Sequence, residues 1–265
     1  MPLSFAAITP HSPLLIPSIG KNNLSRLEKT NNSYKKIGRF LAEENIETLV
    51  IISPHGGPNE KKIALNASPK ISVNFEEFGD FSSKTETETD LETAEAIRLS
   101  LLESNSVIAI NKVVPDFGSG VPAYLLLKEF KKLEVVLVNT SLLDENEHFK
   151  IGTAIGKSLE ESGKRIAVTA SADLSHCLDK KSPAGYSPKG QKFDLRLLDL
   201  IREKRIDDLI GLDEKIIDEA KTCGLKPIMT LFGALSGAGA DWEMVTSTYE
   251  APFGIGYLTA SLKIK

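Results

Sequence analysis

The segments Leu49-Val50-Ile51-Ile52 and Val135-Val136-Leu137-Val138 carry no polar side chain on either face. A strand sends successive side chains to opposite faces, so strands of this kind must be covered on both sides, usually by helices. The intervening stretches can supply that cover. Asn22 to Glu44 places Leu24, Leu27, Tyr34, Ile37, Phe40 and Leu41 at helical spacing. Further helices are predicted over Asp90–Glu103, Val121–Lys131 and Glu147–Ser162, and helices dominate from Gly190 to Leu235. Strands are predicted over Glu47–Ser53, Val107–Ile110, Glu134–Asn139, Arg165–Ala170, Glu243–Tyr249 and Gly256–Lys263, besides the first one, which begins at Ser4. Short β signals occur at Ala64-Leu65-Asn66 and Ile71-Ser72-Val73, and residues 75–90 read as a long loop. The alternation specifies an α/β fold, with a central, mostly parallel or mixed sheet and helices on both faces. At 265 residues with no evident linker, a single domain over residues 1–265 is expected.

Bulk properties narrow the function. With 41% hydrophobic and 26% charged residues the chain has the composition of a folded protein. A formal net charge of −4 and the absence of a basic run argue against nucleic-acid binding. Its apolar runs are far shorter than the ~18–20 residues of a membrane span. Met1-Pro2-Leu3-Ser4 lacks the basic and apolar regions of a signal peptide. Two cysteines, Cys177 and Cys223, suit a reducing compartment as free thiols. A cytoplasmic, soluble protein is the expectation.

Chemistry gathers where strands end, which is where open α/β sheets build their sites. His11 follows the first strand in Thr9-Pro10-His11-Ser12-Pro13, and His55 follows the second in Ser53-Pro54-His55-Gly56-Gly57. His176 follows Ser171-Ala172-Asp173-Leu174-Ser175, and Glu250 ends the strand that begins at Met244. Two imidazoles and one carboxylate form the ligand set of a facial-triad iron site, and zinc sites use the same donors. His11, His55 and Glu250 are therefore the candidate ligands for Fe(II), Zn(II) or Mn(II). His176 remains as a candidate acid or base. Asp173 either orients that region or caps a turn. His148, within an acidic run, reads as part of a solvated helix start. Cys177 reads as a bystander, and Cys223 as a small buried hydrophobe near a helix start.

Four motifs carry a resemblance over residues 8 to 258: Pro10-His11-Ser12-Pro13-Leu14-Leu15-Ile16-Pro17, Ser53-Pro54-His55-Gly56-Gly57, Ser171-Ala172-Asp173-Leu174-Ser175-His176 and Glu250-Ala251-Pro252-Phe253-Gly254-Ile255-Gly256-Tyr257. Together they resemble the class III extradiol ring-cleavage dioxygenases, LigB-type catalytic subunits. The resemblance implies a LigB-like fold, Fe(II) on His11, His55 and Glu250, and His176 as acid/base with Asp173 beside it. It further implies cleavage of a catechol-type aromatic diol with O₂, in a pocket that includes Pro252. Some members work with a small accessory subunit, and a homodimer is the general base rate for soluble oligomers. One position departs from the pattern: in Asp116-Phe117-Gly118-Ser119-Gly120-Val121-Pro122, Phe117 stands where the family usually has histidine. The superfamily also holds MEMO-like proteins, and Cys223 in Thr222-Cys223-Gly224-Leu225 resembles the cysteine those place near their metal pocket. Two alternatives therefore stand beside the dioxygenase: a MEMO-like protein without ring cleavage, and a zinc hydrolase on the same three ligands.

Overall fold

The computed structural model describes every residue except Asn59, Glu129 and Lys131. In chain order the described elements are β1 (Leu3–Thr9), α1 (Pro17–Gly20), α2 (Glu28–Glu43), β2 (Thr48–Ser53), β3 (Ile63–Asn66), β4 (Lys70–Phe75) and β5 (Asp80–Glu88). Then come α3 (Leu91–Ser100), β6 (Val107–Ile110), α4 (Phe117–Leu127), β7 (Glu134–Asn139), α5 (Glu145–Leu159) and β8 (Ile166–Ser171). The chain closes with α6 (Pro188–Arg202), α7 (Ile206–Ile210), α8 (Glu214–Ala220), α9 (Leu225–Gly237), β9 (Trp242–Glu250) and β10 (Tyr257–Ile264).

The main sheet has the order β6-β3-β7-β2-β8-β1-β10-β9. Its middle is parallel: β7, β2, β8 and β1 run side by side in one direction. β3 joins β7 antiparallel, and β10 and β9 extend the other edge antiparallel, so the sheet is mixed. The double-sided apolar strands do what their pattern requires. Val50, Ile52, Val136 and Val138 join one core with Ile151, Ile155, Phe193, Ile228 and Phe232 of α5, α6 and α9. Leu49, Ile51, Val135 and Leu137 join another with Tyr34, Ile37, Leu41, Val121 and Leu126 of α2 and α4. Helices thus cover both faces, as expected.

Three expectations are corrected here. Residues 75–90 are not a loop. β4 and β5 pair antiparallel from Lys70↔Glu88 to Phe75↔Asp80, and β5 alternates polar side chains on both faces, which hid it from an apolar-pattern reading. α4 begins at Phe117, earlier than the predicted Val121, because the Asp116 carboxylate accepts a hydrogen bond from Ser119 N at 2.9 Å and caps it. Its predicted end at Lys131 lies outside the described residues. His148 is buried, not solvated: its Nε2 accepts from Ser141 N at 3.1 Å, and its Nδ1 lies 2.7 Å from Asp144 O.

α5 and α9 touch backbone to backbone through two glycines each. A Cβ on Gly156 would lie 2.0 Å from Ala234 O, and one on Gly237 would lie 2.1 Å from Thr153 O. Gly152 and Gly233 meet carbonyl oxygens of the facing helix in the same way, both at 2.1 Å. Gly156→Ala should therefore destabilise the fold. Its helix-propensity gain of about 1 kcal/mol is outweighed by overpacking of about 1–3 kcal/mol. A lower urea midpoint with unchanged slope is the expected result; a raised midpoint would mean the helices separate at little cost.

Candidate metal centre

Three strand ends lie at one level because their registers agree. Thr9 pairs with Ser171, Ile52 with Ala170, and Ser53 with Asn139. Two residues beyond these ends the chain reaches His11 after β1, Asp173 after β8 and His55 after β2. The two imidazoles meet edge to face, with His11 Nε2 3.3 Å from His55 Nε2. The third donor is Cys223, whose Sγ lies 3.5 Å from His11 Nε2. All three donor atoms fall within 4.8 Å of one another. Cys223 arrives from the turn between α8 and α9, and Gly224 lets that turn press on the end of β8. A Cβ there would lie 2.7 Å from Asp173 O.

The supporting bonds decide how the donors point. Ser171 Oγ–H donates to Gly118 O at 2.5 Å, so toward His11 Nδ1, 2.9 Å away, the hydroxyl acts as acceptor. His11 therefore carries its proton on Nδ1 and turns the Nε2 lone pair to the centre, the arrangement that outer-shell partners impose on metal-binding histidines. Its backbone N–H donates to Asp173 Oδ1 at 2.9 Å. The His55 loop is held at both ends. Its N–H donates to Ser53 Oγ at 3.2 Å, and Asn139 Nδ2 donates to its carbonyl at 2.5 Å. Asp116 ties the support together, accepting from Ser53 Oγ at 2.8 Å and Asn139 Nδ2 at 3.0 Å.

Burial lowers the His11 pKa to about 3 and the His55 pKa to about 4, His11 itself adding to the second shift. Both rings are neutral at physiological pH and offer lone pairs. Burial, with the nearby Asp173 charge, holds the Cys223 thiol far above its ordinary range. Asp173 is pushed up by burial, opposed by the His11 N–H. A divalent or thiophilic ion fits this donor set. Tetrahedral bonds of ~2.0–2.1 Å to nitrogen and ~2.3 Å to sulfur give edges of roughly 3.3 and 3.6 Å, against the 3.3 and 3.5 Å between these atoms.

Glu250, the expected third ligand, is not in this group. At the end of β9 its Oε1 accepts from Thr30 N at 2.8 Å and Thr30 Oγ1 at 2.6 Å. The residue preceding α2, Leu27, provides no side-chain cap, so Glu250 satisfies an otherwise unpaired N–H in the first turn and meets the positive end of the helix. The isolated acid in an apolar run is thus compensated by a helix. The Pro252 carbonyl accepts from the Arg26 guanidinium, and Arg26 lies 4.5 Å over the Phe253 ring. Phe117 is at the centre: its ring lies 4.7 Å from His55 and 5.8 Å from His11. His176 Nδ1 lies 2.9 Å from Leu174 O. Ser171 and Asn139 were missed as site residues; both end strands at this edge, and that position was the available signal.

Neutral imidazoles at the carboxyl edge of a mixed sheet, with a thiol beside them, define a candidate metal-binding α/β protein. The family described as "Catalytic LigB subunit of aromatic ring-opening dioxygenase" matches residues 5–260, and the chain belongs to it. Protein CA_C1420 of Clostridium acetobutylicum is 30% identical over 267 residues, which are 97% of this chain and 57% of that protein. A MEMO1 family protein of Methanococcoides burtonii is 25% identical over 190 residues, 69% of this chain and 63% of that one. The chain thus spans about 57% and 63% of the length of these curated relatives. An uncharacterized protein of Escherichia coli K12, JW3007, has the same fold, with TM-score 0.66 at 14% identity over 97% of this chain and 99% of that one. Among the described residues no helix is long and apolar enough to cross a membrane.

The His176 segment is fastened by a buried acid. Asp194 on α6 accepts from Ser175 N at 3.0 Å and from the Tyr249 hydroxyl at 2.6 Å. Burial raises its pKa to about 6, opposed by the Tyr249 hydrogen bond. The folded state therefore holds this proton more tightly than the unfolded chain. Stability from this group is complete below the unfolded pKa and declines as pH rises through about 6. Its contribution should fall by up to about 3 kcal/mol across that interval. Asp194→Asn should flatten stability between pH 4 and 6 in denaturant titrations (about one pH unit at each point); a profile identical to the parent's would disprove the assignment.

Proposed function

We propose that the protein is a MEMO-like metal-binding member of the LigB family, holding a thiophilic ion with His11, His55 and Cys223 and not cleaving aromatic rings. The observation that carries this reading is the convergence of those three donors, with a thiol in place of a carboxylate. Sulfur and imidazole suit zinc, copper or iron better than manganese, which favours oxygen. When bound, such an ion supplies Lewis acidity and stabilises Cys223 as a thiolate.

The chain's own residues do the remaining work. Ser171 fixes the His11 tautomer, and Asp116 with Asn139 fixes the His55 loop. His176 turns Nδ1 to the Leu174 carbonyl, which leaves Nε2 to take up a proton. Against ring cleavage stands Phe117, an aromatic ring packed on both imidazoles where the family usually has a histidine able to exchange protons. Against it too stands Glu250, whose carboxylate is bonded to Thr30.

Cobalt or zinc titration separates the readings. Cys223→Ser and His11→Ala should each weaken binding by more than the roughly 10–100-fold typical of outer-shell changes, and Co(II) should show a thiolate charge-transfer band that Cys223→Ser removes. Glu250→Gln should bind the ion normally and lose about 1 kcal/mol of stability through the helix cap. Fe(II) loaded without air and then exposed to O₂ and a panel of catechols should give no ring-fission product. A yellow product, or unaltered binding in Cys223→Ser, would refute the proposal.

A further inference from the structure

A cavity of about 260 Å³ lies between the β7–α5 connection and the turn into α9. Its lining includes Cys223 of the centre and Pro54, the residue before His55. Thr140, Ser141, Thr222 and Lys226 add hydroxyls and one ammonium to its walls. The approach across the imidazoles is taken up by stacked rings. Phe117 packs on His55 and His11, and Phe78 stands edge-on to Phe117 at 5.7 Å.

Lys226 is half-buried and its Nζ donates to Ser141 O at 3.1 Å. An ammonium has three N–H donors, so two are left for another partner. Among the described residues no carboxylate lies within ion-pair distance of it; the ion pairs of the chain involve other lysines and arginines. A partly desolvated cation without a counter-charge is costly, and an anionic ligand removes that cost. Glu145, on the α5 side of the same cavity, carries the opposite charge and does not pair with Lys226. Its charge disfavours a second anionic group on that side of the cavity.

We infer that this cleft is the ligand entrance to the centre, and that it admits small molecules bearing an oxyanion, carboxylate or phosphate, that pairs with Lys226. The inference takes its purpose from the metal-centre reading above, but the entrance itself does not require a bound ion. Charge-selective labelling of the metal-free, full-length protein tests it. The anionic 2-sulfonatoethyl and cationic 2-trimethylammonioethyl methanethiosulfonates are applied separately, and peptide mass mapping distinguishes Cys223 from Cys177. Cys223 should be modified, and its anion-to-cation rate ratio should exceed that of the Lys226→Gln variant by roughly tenfold, as expected for removal of one nearby charge. Glu145→Gln should raise the ratio further. Acetate and inorganic phosphate are then each tried as protectants; slower labelling with one supports the inference and identifies the oxyanion, and protection by neither overturns it. Absence of labelling at Cys223, or a ratio indifferent to Lys226→Gln, overturns it as well. Labelling as expected in a protein that binds no ion would sink the metal reading and leave the entrance standing.

Discussion

Everything at the centre depends on three adjacent parallel strands ending at the same level. β2, β8 and β1 are neighbours in the sheet, and the pairs Thr9–Ser171 and Ile52–Ala170 set their ends side by side. The residues just past these ends, His11, Asp173 and His55, are thereby brought together although they are far apart in the chain. A slip of one residue in any of these strands would send every side chain to the opposite face. The apolar alternation between the two cores forbids that slip, because Val50 and Ile52 belong to one core and Leu49 and Ile51 to the other. Burial of Val, Leu and Ile therefore determines where the imidazoles stand.

Carboxylates elsewhere in the fold chiefly satisfy helix ends. Asp90, Asp116, Asp144 and Asp213 each cap the helix that follows them, as the Ser187 hydroxyl does for α6. Glu250 does the equivalent service from a distance, crossing from β9 to the first turn of α2. Each such bond satisfies an N–H that the helix cannot, and is worth about 1 kcal/mol. Asp116 does more than cap: through Ser53 and Asn139 it also steadies the loop that carries His55. Cap and site support are one network there, so the start of α4 and the position of His55 are not independent.

Local pattern made much of this fold legible. β6 and β7 fall where Val107–Ile110 and Glu134–Asn139 were expected, since each is a run of mostly apolar side chains with polar flanks. The polar alternation of β5 was not legible, because its Ser, Thr, Lys and Glu side chains read as a loop until β4 is placed beside it. His11 and His55 were legible as strand-end residues, and the structure sets their rings edge to face. For Glu250 the sequence left two readings open. Its isolation in an apolar run signals that something must compensate the charge, but the run cannot say whether a cation or a helix terminus does so. Cys223 was the reverse case: composition suggests a buried thiol, the MEMO-like resemblance places it near the pocket, and its position beside His11 depends on how α8 and α9 pack against the end of β8.

That origin gives the thiol a different mechanical standing from the imidazoles. His11 and His55 are borne by the sheet, through strands buried on both faces. Cys223 is borne by the helical layer, in a turn that Gly224 seats against Ala172 and Asp173. An ion bound by all three would join the two layers, so its binding energy would add to the stability of the α8–α9 turn, as metal binding generally couples to folding. A carboxylate brought to the centre by a strand of the sheet would not create that link. Replacing an oxygen ligand from the sheet with a sulfur ligand from the helical layer therefore changes both the ion the site prefers and the part of the molecule that responds when the ion arrives.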